Sequence, residues 1–259
     1  MSSFVINPYG FGVAEDADAA AYLNAVEVED GQALEAGVRK AVDDFVKGCK
    51  DDGIWSDIKT ACILAGARTL DGALVPLVGS APTSTGFVSG NYNRENGLIG
   101  GSGRNLNSNR SNADDPQNDF HMSVYVHTVG SANFGYYIAT TGASTGADQI
   151  LRNNATSLFW RCRHNLTDSP ANSNVTGLIG SNRASSSNYD AYYGGSTTTY
   201  SRTSQTPNGN DIFVFNNTSS AGLPSNGRLQ WYSIGEATDL ALLEGRLDTL
   251  MADFATAIV

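Results

Sequence analysis

Hydrophobic positions in the first quarter of the chain recur at helical spacing. Ala20, Leu23 and Val26 fall about one turn apart and predict a short helix over Asp16–Val28. From Gln32 to Cys49, the residues Leu34, Val38, Val42, Phe45, Val46 and Cys49 share one face. Lys47 and Lys50 stand where a helix C-terminus favours cations. Asp52-Gly53 breaks that helix. Trp55, Ile58, Cys62 and Ile63 then continue the spacing and predict a third helix over Ile54–Ala65, closed by Gly66. After this the period changes. Leu74–Val78 reads as a short apolar strand. Over His121–His127, Met122, Val124 and Val126 alternate with His121, Ser123, Tyr125 and His127, so each set lines one face of a strand. Gly135–Thr140, Ser157–Arg163, Asp211–Phe215 and Arg228–Ile234 read as further strands. The chain closes on Leu240, Leu243, Leu247, Leu250, Phe254 and Ala257, spaced 3-4-3-4-3, which predicts a helix. That seam is too short for a self-sufficient coiled coil, so packing against the β region is its expected use.

Composition sharpens the division. All four lysines lie before Pro76, and 21 of the 23 asparagines fall between Asn91 and Asn226, among many Ser, Thr and Gly. Such a stretch suits short strands joined by turns. The expected fold is therefore mainly β, a jelly-roll sandwich with an α-helical N-terminal segment and a C-terminal helix. The expected organisation is an extended arm over 1–15, a helical docking segment over 16–70, and a β-sandwich over 71–259 that includes a helix over 239–258. One echo runs through the sandwich. Gly97-Leu98-Ile99-Gly100 returns as Gly177-Leu178-Ile179-Gly180, and Ser108-Asn109-Arg110 returns as Ser181-Asn182-Arg183. Two matches are too few for a solenoid and read as similar strand–turn units.

The net charge of −10 sits on the helical flanks. Residues 1–75 carry 13 acids against 6 bases, whereas residues 76–235 carry 8 against 9. Nothing here neutralises a phosphate backbone, so nucleic acid is not an expected partner. No apolar run reaches transmembrane length, and a membrane is not expected either. Cys49, Cys62 and Cys162 form no framework and read as buried thiols. The N-terminus has no charged-then-apolar leader pattern. Six Asn-x-Ser/Thr sequons, at Asn109, Asn154, Asn165, Asn174, Asn216 and Asn217, are what so Asn- and Ser-rich a chain produces by chance.

Motifs for turnover are missing. There is no Gly-x-Ser-x-Gly elbow, no phosphate-binding Gly-Lys-Ser/Thr, and no Glu-x-Asp-x-x-Glu strand of the laminarinase type. His121 and His127 are separated by roughly 20 Å of strand, too far to share one ion, and are expected to be exposed. Asp114, Asp115 and Asp119 have the chemistry of a calcium loop. A solvated turn is the ordinary and favoured use of such a cluster. No catalytic residue, metal or cofactor is expected. Tyr189, Tyr192, Tyr193 and Tyr200, with Arg183 and Arg202 close by, have the chemistry of a surface that stacks on sugars or partner chains. The alternative use of these rings is to fill the sandwich core or close its edge.

The closing segment Arg228–Glu244, with Tyr232-Ser-Ile-Gly235 leading into a helix, resembles the last strand and helix of concanavalin A-like, laminin-G-type domains. More broadly, the chain resembles structural proteins of tailed phages of aquatic bacteria. The resembling stretches are Gly31–Val38, Ile54-Trp55 with Cys62–Arg68, Asn91–Arg94 with Gly97-Leu98, Ser108–Arg110, and Tyr232–Gly235. This resemblance implies a non-enzymatic virion component, made in the host cytoplasm and not secreted. It would be a capsid decoration or tail fibre protein on the particle exterior, self-associating and bound to other virion proteins. The helical segment would dock through Leu34, Val38, Phe45, Trp55 and Ile58, and a soluble sandwich would survive removal of residues 1–66. The alternatives are a module that adheres to a host surface glycan and, with less support, a polysaccharide depolymerase.

Overall fold

The computed structural model describes residues 14–131, 134–142, 145–153, 157–169, 175–219 and 222–258. All but the last two residues of the expected N-terminal arm lie outside them. Helices α1 (Ala17–Asp30) and α2 (Ala36–Asp51) open the described chain. Asp16 starts α1 by accepting a bond from the Asp18 amide, and Gly31, left-handed at φ 64°, ends it.

The expected third helix is not formed. After a single 3-10 turn at Trp55–Asp57 the chain becomes strand β1 (Ile58–Ile63). Its apolar run meets both demands of a central strand: Ile58, Ala61 and Ile63 face the helices, while Cys62 and Leu64 face the space between the sheets. The expected strand at Leu74–Val78 is also absent. A short helix α3 (Leu70–Ala73) stands just before it, and only Val78 bridges to Ala61.

The β region follows as β2 (Thr83–Thr85), β3 (Tyr92–Asn93), β4 (Gly97–Ile99), β5 (Asn105–Ser111), β6 (Phe120–Thr128), β7 (Phe134–Thr140), β8 (Gln149–Asn153) and β9 (Ser157–Arg161). It continues through β10 (Gly177–Arg183), β11 (Asn188–Tyr193), β12 (Ser196–Ser201), β13 (Asp211–Val214) and β14 (Arg228–Gly235), and α4 (Leu240–Ala257) closes the chain. Two antiparallel sheets result. The larger runs β12-β11-β10-β6-β14-β4-β3, with β1 paired to β14 beside β4. The smaller runs β2-β5-β13-β7-β8-β9. The molecule is thus a mainly β, two-sheet sandwich with helices at both ends, as the patterning predicts.

Its layers number three, because the helices cover the outer face of the larger sheet. One core lies between the sheets and holds Met122, Val124, Ile138, Trp160, Ile212 and Tyr232. The other lies between the larger sheet and the helices and holds Leu178, Trp231, Phe45, Leu243, Leu247 and Phe254. Phe45 of α2 meets Trp231 of β14 edge-on at 5.5 Å. Helices α2 and α4 pack so closely that a Cβ on Gly37 would stand 2.7 Å from the Ala257 Cβ. The echoed glycines share a duty: Gly97 and Gly177 begin β4 and β10 with φ of 89° and 88°, a left-handed entry that favours glycine. The second half of the echo diverges, since Ser108–Arg110 lies in β5 of the other sheet.

Candidate functional site

The tyrosines and arginines singled out by composition divide at strand β11. Alternation sends Tyr189 and Tyr193 toward the inter-sheet core and Tyr192 toward the helices. Tyr189, fully buried, stacks on its cross-strand partner Tyr200 with centroids 5.5 Å apart. Its hydroxyl donates to Asp168 at 3.0 Å. Arg202 grips the same carboxylate through Nη2 at 2.5 Å and Nε at 3.1 Å. Tyr193, partly exposed, leans on Trp160. Arg183 is fully buried and donates to the backbone carbonyls of Cys162, Ser185, Asn188 and Arg202. These residues sew the ends of β9, β10, β11 and β12 together. Of the two uses weighed for them, core and edge closure is the one realised at Tyr189 and Arg183.

Nearby, Asp148 and Arg163 form a wholly buried pair at 3.5 Å, with the guanidinium 3.9 Å from the centre of the Phe120 ring. Burial raises the Asp148 carboxyl above its usual range, against the pull of Arg163. Burial likewise lowers His164 to about 4, although Asp168 lies 3.4 Å away. Asp148, Arg163, His164 and Asp168 stand within one stretch of chain, but they lie on turns around β8 and β9 where no periodic pattern marks them as a group.

His121 is buried rather than exposed, a correction that follows from the helical layer over its face. One ring nitrogen contacts the Glu236 carbonyl and the other the Ser233 hydroxyl. His127 remains exposed at the strand end. The three acids of the calcium-loop alternative are committed separately: Asp114 to the Ser111 amide, Asp115 to Arg110, and Asp119 to the Ala237 amide. The expected docking residues are also accounted for. Leu34, Val38, Phe45 and Ile58 are buried in the helix–sheet core, and Trp55 packs against it beneath Lys50. That face is covered by the molecule's own sheet and α4, so it is not a free docking surface.

An open concavity with mixed chemistry lies where α4 begins. It measures about 570 Å³ and is bounded by Asp52, Ile54 and Asp57 on one side and by Asn182, Ala184, Asp190, Tyr192 and Thr197 on the other. Residues Ala237–Leu242 form its third wall. Each part has a local cause. Asp239 caps α4 through bonds from the Ala241 and Leu242 amides, and the Asn182 side chain holds the Thr238 amide at 3.0 Å. Tyr192 donates to Glu244 at 2.6 Å, which keeps its ring against the helix. Thr238 is buried, and its hydroxyl has no hydrogen-bond partner among the described residues. Tyr192 is the sole member of the sequence-selected set on this lining. No described lining residue is Ser, Cys or His. The signal available in sequence was faint: an Asx cap ahead of the α4 heptad seam, and Asp190 and Tyr192 on alternate positions of β11.

No family model matches the chain, and no curated protein matches it. Several solved structures are similar to it at low identity. The NanB sialidase from Streptococcus pneumoniae is 9% identical over 51% of this chain and 24% of that one, with a TM-score of 0.41. The CBM40 of the Ruminococcus gnavus IT-sialidase, bound to alpha2,3 sialyllactose, is 12% identical over 53% of this chain and 82% of its own, with a TM-score of 0.38. The binding domain of botulinum neurotoxin serotype D is 11% identical over 74% of this chain and 50% of its own, with a TM-score of 0.48. The chain thus spans well under two thirds of the sialidase and of the toxin domain. Likenesses this distant decide nothing about its activity.

Proposed function

We propose that the protein acts by contact rather than turnover, and that it holds a glycan in the cleft at the head of α4. One observation carries this reading: the cleft combines carboxylates, hydroxyls and an amide with apolar walls at Ile54, Leu240 and Leu242. Sugars present donors around the ring edge and C–H groups on the ring faces, so they need both kinds of surface. The volume falls within the range of small-ligand sites. Asp52, Asp190 and Asp239 each hold a structural bond, to Arg246, Thr199 and the α4 amides, which suits a rigid binding site. A glycan array followed by titration of the best sugar tests the reading. Ala184, exposed at the rim, is the residue to block: Ala184→Trp should weaken binding at least tenfold and leave thermal unfolding unchanged. An array with no retained sugar, or an unaffected variant, overturns the glycan reading. Release of reducing ends from the bound sugar overturns its non-catalytic part.

A second reading places the chain on the exterior of a phage particle, with other virion proteins as partners. It is favoured by where the resembling stretches meet. Glu35, Arg68 and Arg94 come from three of them, and Glu35 bonds both arginines, Arg94 at 3.1 and 2.7 Å and Arg68 at 3.0 Å. The resemblance therefore follows the frame of the molecule. Immunogold labelling of intact particles should decorate head or tail; particles left unlabelled remove this reading and leave the glycan site standing.

A further inference from the structure

Resting on the reading of the cleft as a glycan site, we infer that its ligand is an amino sugar, a polyol that carries a protonated amine. The lining fixes the sign of the charge. Its ionisable groups, apart from the tyrosine, are Asp52, Asp57, Asp190 and Asp239, and no Lys or Arg lines it. Asp52 is matched by Arg246, which bonds both its oxygens at 2.7 and 2.9 Å. The other three have no cationic partner among the described residues. Asp190 gives Oδ1 to Thr199, and Asp239 gives Oδ1 to the first amides of α4. The second oxygen of each takes no bond from the described protein. Ionised carboxylates only accept, so the ligand must bring donors.

A second observation is independent of the acids. Thr238, a lining residue 6% exposed, has a buried hydroxyl with no partner among the described residues. A buried polar atom without a partner is costly and marks a place where a ligand group or bound water belongs. The start of α4 would by itself draw an anion. Here Asp239 already occupies that position, so the helix end is satisfied from within. A carboxylated or sulfated sugar would bring acceptors and negative charge to a wall of acceptors. An ammonium brings three donors and the opposite charge, at contact distances well inside the ~8 Å screening length of physiological salt.

Calorimetric titration of the full chain at pH 6 with a β-1,4 glucosamine tetramer, its fully N-acetylated counterpart and sialyllactose tests this. The amine-bearing tetramer should bind at least tenfold more tightly than the acetylated one, and sialyllactose should not compete. Asp57→Asn and Asp190→Asn should each narrow the gap about threefold or more, as should added salt. Asp57 makes no strong side-chain bond, so its variant guards against a fold effect at Asp190. Equal affinity for the two tetramers overturns the amino-sugar inference and leaves the glycan reading intact. Binding of an oligolysine peptide but of no sugar overturns both, as does an absence of any binding.

Discussion

At the scale of single residues, Glu35 joins the helices to the sheet. Arg94 reaches it from the end of β3 and also donates to the Gly66 and Ala67 carbonyls, while Arg68 approaches from the other side. The Arg94 bond is the largest cause that holds the Glu35 carboxyl down at about 2, against the opposing effect of burial. The folded value lies below the unfolded one, so this contribution is fully present above about pH 4.5 and is lost as pH falls toward 2. With 30% of the Glu35 side chain in water, screening keeps the effect to roughly 1–2 kcal/mol. Glu35→Gln should accordingly lower the urea midpoint at pH 7, and the gap to the unmodified chain should shrink by pH 2.5. A gap of constant size across that range would show that the ion pairs add nothing. None of these three residues drew attention in the sequence as a group, because ion-pair partners 33 and 59 positions away leave no periodic trace.

At the scale of elements, legibility followed the number of buried faces. Helices α1, α2 and α4 bury one face each, and their spacing gave them away within a few residues. Strand β6 alternates as read, but its second face is covered by helices, so His121 is buried where solvent was expected, and Ser123 on the same face is buried with it. Strand β1 buries both faces, and a run apolar on both sides has no period of two to betray it. Trp55, Ile58 and Cys62 happened to sit a helical turn apart, and that coincidence mimicked a helix. The candidate cleft was less legible still. It is built from the end of α2, the turn before β1, strands β10–β12 and the cap of α4, and the packing of α4 on α2 and β10 brings these together. Close approach matters there: a Cβ on Gly180 would stand 2.7 Å from a Leu240 methyl.

At the scale of the whole molecule, the same packing decides whether the β region can stand alone. Strand β1 pairs with β14 from Ile58↔Gly235 to Ile63↔Trp231, and α2 lies beside α4 over the larger sheet. Removal of residues 1–66 would strip α1, α2 and β1 together. Trp231, Leu178, Leu243, Leu247 and Phe254 would lose cover, at about 1.5–3 kcal/mol for each large apolar side chain returned to water. Several such losses equal or exceed the 5–15 kcal/mol of net stability that a domain of ordinary size possesses. The Trp231–Gly235 stretch of β14 would also become an open apolar edge, a template for association. The shortened chain should therefore aggregate, or remain without a cooperative thermal transition. A soluble monomer with near-ultraviolet circular dichroism and a single sharp melt would instead mean that the two sheets carry the fold unaided. In that case the helical layer would be an accessory, free to leave the sheet and meet a partner through Leu34, Val38 and Phe45. The burial of those three side chains is the reason to expect the first outcome.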